Sequence, residues 1–135
     1  MEVRILIADD DKTIRLLLHR FLESRPSWKV CDEAADGLEA VTKAEQWKPE
    51  VVILDLAMPV MNGFQAAERL SRTCPSTALL LISVQQVTRE VERSAREAGF
   101  KGALTKANGA EVVAAVEALL RGETFFIIDD SVQVV

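Results

Sequence analysis

The chain is short of the residues that most often carry enzymatic proton transfer and nitrogen or sulfur metal ligation. It has one histidine, His19, and two cysteines, Cys31 and Cys74, in 135 residues. A histidine-based triad would have to use His19. That residue lies in a helical pattern, LLLHRFL, with no local metal partner, so a structural or surface place is expected for it. Cys31 and Cys74 form no CxxC pair and have no histidine nearby, so they read as small buried hydrophobes in a reducing compartment. Aromatic residues make up 5% and tyrosine is absent, so the core must be built from Val, Leu, Ile and Ala. Positive charge is also scarce. Sixteen Lys and Arg face 21 Asp and Glu, the net charge is −5, and no basic cluster reverses it locally. Phosphate backbones repel such a surface, so direct nucleic-acid binding is not expected. No apolar run approaches the roughly twenty residues of a membrane span. The opening MEVRILIADD lacks the architecture of a secretion signal, so a cytoplasmic protein without membrane contact is expected.

What remains is an ordinary globular composition, 49% hydrophobic and 27% charged, over a length that suits one domain. Residues 3–8 (VRILIA) form an apolar, β-branched run that reads as a buried strand. Residues 11–23 follow with Ile14, Leu17, Leu18, Phe21 and Leu22 at helical spacing, and Asp11 can cap that helix. Residues 28–34 (WKVCDEA) read as a second strand, less apolar and nearer an edge. Residues 38–47 are helical and stop before Pro49. The pattern then repeats. Strands are expected at 51–54, 78–82 and 101–104, and helices at 64–72, 87–98 and 110–120. Gly99 closes the helix at 87–98. Strands that are continuous apolar runs, alternating with helices, mark a parallel sheet covered on both faces. The expected fold is α/β: a doubly wound five-stranded parallel sheet. Residues 1–122 form the domain, and 123–135 a tail or the start of a linker.

In such a sheet, ligands gather at the carboxyl ends of the strands. The first strand ends in Asp9, Asp10 and Asp11, the third in Asp55, the fourth in Ser83, and the fifth near Thr105 and Lys106. If these ends converge, carboxylates, a hydroxyl and an ammonium share one crevice. Clustered carboxylates are costly unless a cation neutralises them, and an all-oxygen donor set selects a hard ion, Mg²⁺ first. A carboxylate beside Mg²⁺, a hydroxyl and a lysine is arranged for phosphoryl transfer. Each residue also has a plainer reading. The aspartates after the first strand favour a helix N-terminus, Asp55 suits a turn, Ser83 can cap a helix and Lys106 can be a solvated loop lysine.

The segments ADDD (8–11), DLAMPVMNG (55–63), LIS (81–83) and GALTK (102–106) resemble a receiver domain of two-component response regulators, over nearly the whole chain. That resemblance implies a flavodoxin-like (receiver) topology. It implies Asp55 as phospho-acceptor, taking a phosphoryl group from a sensor histidine kinase or phosphotransfer protein. It implies Mg²⁺ held by Asp9, Asp10, Asp55 and the backbone carbonyl of Ala57, with Asp10 a direct ligand and Asp9 acting mainly through water. Ser83 would hydrogen-bond the phosphoryl group and Lys106 would pair with it. The domain would not be an enzyme beyond assisting its own phosphorylation and dephosphorylation.

Three positions depart from the family pattern. Ala103 stands where an aromatic switch residue is usual, Ala107 where proline often follows the lysine, and Val84 where a smaller residue is usual. A trans peptide is expected before Ala107, since a non-proline cis bond costs about 3 kcal/mol. The last segment resembles receivers that precede a LuxR-type helix-turn-helix output domain, so either a stand-alone receiver or a piece of a longer regulator is expected. The apolar run Phe125, Phe126, Ile127 and Ile128 either packs on the domain itself or meets a partner, a homodimer included. Two rival functions share the fold. One is a flavin or nucleotide binder, which the DDDK loop after the first strand disfavours because it repels phosphate without a metal. The other is a receiver-like interaction module that is not regulated by phosphorylation.

Overall fold

A computed structural model describes residues 2–129 of the chain. Strands and helices alternate: β1 (Val3–Ala8), α1 (Lys12–Leu22), β2 (Trp28–Ala34), α2 (Gly37–Trp47), β3 (Val51–Asp55), α3 (Gly63–Thr73), β4 (Ala78–Ser83), α4 (Arg89–Ala98), β5 (Gly102–Thr105), a 3-10 turn (Lys106–Glu111), α5 (Val112–Leu120) and β6 (Phe125–Phe126). The sheet is parallel, in the order β2-β1-β3-β4-β5-β6. The sheet expected from the apolar runs is present, with β2 at its edge. A short sixth strand is added at the far edge, because the chain turns back after α5 through Gly122, at φ +81°, and lies along β5. The part of the tail at 130–135 lies outside the described residues.

Side chains alternate across the sheet with the period of two that strand geometry imposes. Leu6, Val52, Leu54, Leu79 and Leu81 face α2, α3 and α4, where Ala40, Ala44, Ala66, Ala67, Leu70 and Ala95 complete one core. Ile5, Ile7, Val51, Ile53, Leu80 and Ile82 face α1 and α5, where Leu18, Leu22, Val112, Val116 and Leu119 complete the other. The helix-side alanines let α2 and α3 sit close to the aliphatic strands, which is how a chain with few aromatics fills its interior. Cys74 is buried and Cys31 half-buried, both as free thiols. His19 lies on α1 between two carboxylates, 3.1 Å from Glu23 and 3.5 Å from Glu33.

The helix ends explain most boundary differences. Asp11, Asp36 and Thr88 cap α1, α2 and α4 through side-chain oxygens. Asn62 and Gln65 form a reciprocal capping box, so α3 begins at Gly63, a position that reads in the sequence as part of a turn. The 3-10 turn explains why the last helix, expected from residue 110, starts at Val112. Among the described residues no peptide bond is cis, in keeping with Ala107, and no helix is long and apolar enough to cross a membrane.

Candidate functional site

In the order β2-β1-β3-β4, the chain leaves β1 toward β2 and leaves β3 toward β4, in opposite directions along the sheet, so β1 and β3 flank the switch point where the crevice opens. Asp9 follows β1 directly and Asp55 is the last residue of β3. Both are buried, at 0% and 3% exposure, while Asp10 beside them is exposed. Carboxylate oxygens of Asp9, Asp10 and Asp55 all lie within 4.8 Å of one another. Lys106, the residue after β5, reaches over both buried acids: its Nζ is 2.8 Å from Asp9 Oδ2 and 3.4 Å from Asp55 Oδ2.

The electrostatics follow from this packing. Burial, then repulsion from Asp9, raises the Asp55 carboxyl from 3.8 to about 6, against the pull of Lys106 and the backbone N–H of Ala57. Burial pulls the Lys106 ammonium down, but Asp9 and Asp55 outweigh it, and its pKa ends above the ordinary lysine value. Asp9 Oδ1 accepts from the backbone N–H of Asp11 at 2.8 Å. Asp9 Oδ2 touches Lys106 as an ion pair only, buried and with no aligned hydrogen-bond donor directed at it. A buried carboxylate oxygen left without a directed donor, in an all-oxygen cluster, fits a hard divalent cation such as Mg²⁺.

The structure therefore gathers Asp9, Asp10, Asp55 and Lys106 at one end of the sheet. Ser83 is buried at the end of β4, next to β3, and its hydroxyl accepts from the Gln85 backbone N–H at 3.1 Å. Ala57 lies exposed in the loop after Asp55. That loop is held to its neighbours: Leu56 N donates to Ile82 O, and Gly63 N to Leu56 O, at 3.1 and 2.9 Å. Gly63 must be glycine, because a Cβ would stand 2.5 Å from the Asp55 carbonyl oxygen.

Two contributors escape a reading of the sequence. Arg15 of α1 donates from Nη1 to the Asp9 carbonyl at 2.6 Å and from Nε to Glu33 at 2.9 Å, tying the acidic loop to β2. Its only sequence signal is a place four residues beyond the cap Asp11. Asn108 donates to Thr105 Oγ1 at 3.1 Å, bracing the end of β5 beside Lys106.

The family model for the response regulator receiver domain matches residues 5–117. The chain is 31% identical over 127 residues to the response regulator protein VraR of Staphylococcus aureus, covering 93% of this chain and 60% of that protein. It is 33% identical over 107 residues to a protein-glutamate methylesterase/protein-glutamine glutaminase of Thermotoga maritima, covering 79% of this chain and 31% of the enzyme. The chain thus spans about a third to three-fifths of the length of these relatives. Among solved structures, a LuxR-family two-component response regulator from Aurantimonas superposes with a TM-score of 0.87 at 32% identity, covering 93% of this chain and 89% of that one. The signal receiver domain of the response regulator NarL from Mycobacterium tuberculosis gives 0.84 at 32% identity, covering 90% and 98%.

Proposed function

The chain belongs to the response regulator receiver domain family, and from that premise we propose that Asp55 is its phospho-acceptor. The observation that carries this reading is the placement of Asp55. It is buried at the end of a central strand, raised to about 6 by burial and Asp9, and faced by the Lys106 ammonium. A carboxylate of that basicity is ionised at neutral pH and more nucleophilic than an exposed aspartate.

In the proposed step, an Asp55 carboxylate oxygen attacks the phosphorus of a phosphohistidine on a sensor kinase or phosphotransfer protein. The P–N bond breaks, and its electron pair leaves with the imidazole, which takes up a proton. The product is an acyl phosphate on Asp55. Asp9, Asp10, Asp55 and the Ala57 backbone carbonyl are the groups that would hold Mg²⁺, which when bound supplies positive charge against the phosphoryl oxygens. Lys106 contributes a second positive charge from the β5 side, and the Ser83 hydroxyl a hydrogen bond from β4. The Asn108–Thr105 side-chain hydrogen bond spans the turn in which Lys106 lies.

The domain acts as a signalling switch in the cytoplasm rather than as an enzyme on a separate substrate. If the chain is part of a longer regulator, a LuxR-type output domain is the partner its LuxR-family neighbour points to, and a homodimer is a further partner to test. The test is Mg²⁺-dependent labelling with acetyl phosphate. One phosphoryl group per chain is expected in the parent and none in Asp55→Asn. Unlabelled parent protein in the presence of Mg²⁺ would favour the interaction-module reading instead.

A further inference from the structure

β5 carries Ala103 where its relatives' pattern leads one to expect a ring, yet a ring stands in the adjacent register. β6 pairs with β5 in parallel, with Phe126 opposite Ala103. Partners in register share a face of the sheet. Phe126 packs on the core cluster that contains Ala103, Val87 and Ala95, and the Arg96 guanidinium of α4 lies 4.1 Å from the ring centroid. Phe125 and Ile127 pack on the opposite core. The apolar run of the tail thus straddles the sheet edge and covers it.

This contact is specified by the sequence. Phe125 N donates to Lys101 O at 2.9 Å and Ile127 N to Ala103 O at 3.1 Å. The approach is close enough that a Cβ on Gly102 would stand 2.5 Å from the Phe125 carbonyl oxygen, so glycine is required there. A third bond leads elsewhere. Asp129 N donates to Val87 O at 2.9 Å, in the loop that joins Ser83 to α4. That loop is thus tied at one end to the tail and at the other to Ser83, whose hydroxyl accepts from Gln85 N. Val84, between them, is 73% exposed. A cleft of about 390 Å³ lies between the loop and Thr105, Asn108 and Ile128.

We propose that the edge of β5 and the flank of α4 form a docking surface for the chain's own residues 125–129, and that a phosphoryl group on Asp55 loosens this docking through the loop at 84–88. The inference rests on Asp55 as the acceptor. To reach a phosphoryl oxygen, the Ser83 hydroxyl turns away from Gln85 N. The loop loses one tether, and its other tether, at the Val87 carbonyl, moves relative to Asp129. β6 is two residues long, so a shift of the Val87 carbonyl away from Asp129 disturbs a strap with little backbone pairing of its own. Coupling is reciprocal: whatever weakens the strap favours the phosphoryl-bound state.

The experiment is amide hydrogen exchange of the full chain, with and without Mg²⁺ and beryllofluoride. Protection of the Phe125, Ile127 and Asp129 amides is expected to fall about tenfold or more on binding. Phe126→Ala is expected to lower that protection in the free protein and to raise beryllofluoride affinity roughly fivefold. Ile127→Pro deletes one edge hydrogen bond together with the packing of Ile127 on the second core, and is expected to act in the same direction. Shifted Asp55 and Ala57 amides with unchanged protection at 125–129 would overturn the strap and leave the acceptor assignment standing. So would a Phe126→Ala affinity equal to or below that of the parent. Absence of any Mg²⁺-dependent change at Asp55 would overturn both.

Discussion

Asp55 carries its charge at a cost to the fold when no metal is present. Its folded pKa of about 6 lies above the ordinary 3.8, so folding favours the protonated form. Below about pH 4 the group is protonated in both states and has no effect. As pH rises from about 4 to 6 the unfolded chain ionises first and stability falls. Above about 6 the full penalty persists, on the order of 2–3 kcal/mol. Asp55→Asn is therefore expected to be more stable than the parent by about 2 kcal/mol at pH 7.5 without Mg²⁺, with the gap closing by about pH 4. Urea titrations at each pH measure it. Equal stabilities at pH 7.5 would show that Lys106 already neutralises the cluster. Each of these acids alone also suits a helix cap or a turn, and their role was legible in the sequence because they recur at the ends of strands together with Ser83 and Lys106. The ion pair from Lys106 to Asp9, shorter than that to Asp55, was not, since it depends on the distance between β1 and β5 ends.

The loop from β3 to α3 stores strain. Val60 has φ +69°, and the Met61 N–H returns to the Pro59 carbonyl at 2.7 Å, closing a γ-turn on a β-branched residue. Its side chain is 76% exposed, so no burial offsets the conformation. Val60→Gly is expected to stabilise the protein by about 1 kcal/mol, read as a higher melting temperature. A lower one would mean that the turn relaxes in solution. On the β4 side, Ala103 has no ring of its own to move. Beryllofluoride is therefore expected to shift amide resonances at 84–91 and 125–129 more than those of β5. Large, even changes along 102–105 with quiet resonances at 84–91 would contradict this. The loop at 58–63 reads as a turn in the sequence because Pro59, Asn62 and Gly63 are turn formers. That Asn62 instead caps α3 depends on Gln65 reaching back to it.

Over the whole molecule, any ligand that binds only the folded state raises the melting temperature by mass action. Mg²⁺ at ten times its dissociation constant adds about 1.4 kcal/mol, worth roughly 3–5 °C for a domain of this size. Asp10→Ala is expected to lose most of that increment while melting no lower than the parent without metal, because removing one carboxylate from the cluster relieves repulsion. Thermal melts with and without Mg²⁺ measure both. An undiminished metal shift in the variant would remove Asp10 from the ligand set.

The sequence by itself determined the alternation of strands and helices, the parallel sheet and the acids at its strand ends. These are local properties: the period of apolar residues, the caps and the charge that follows each run. Only the tertiary structure decided which strands are neighbours. Adjacency of β1 and β3 brings Asp9 and Asp55 together, and the return of the tail along β5 sets Phe126 opposite Ala103. The tail's apolar run could equally have met a partner as far as its composition shows. Its packing on both cores depends on Gly102 leaving room and on Val87 offering a carbonyl, contacts that join residues far apart in the chain. Hydrophobic periodicity acts within an element, whereas register and pKa depend on distances between elements, which exist only once the two cores have closed around the sheet.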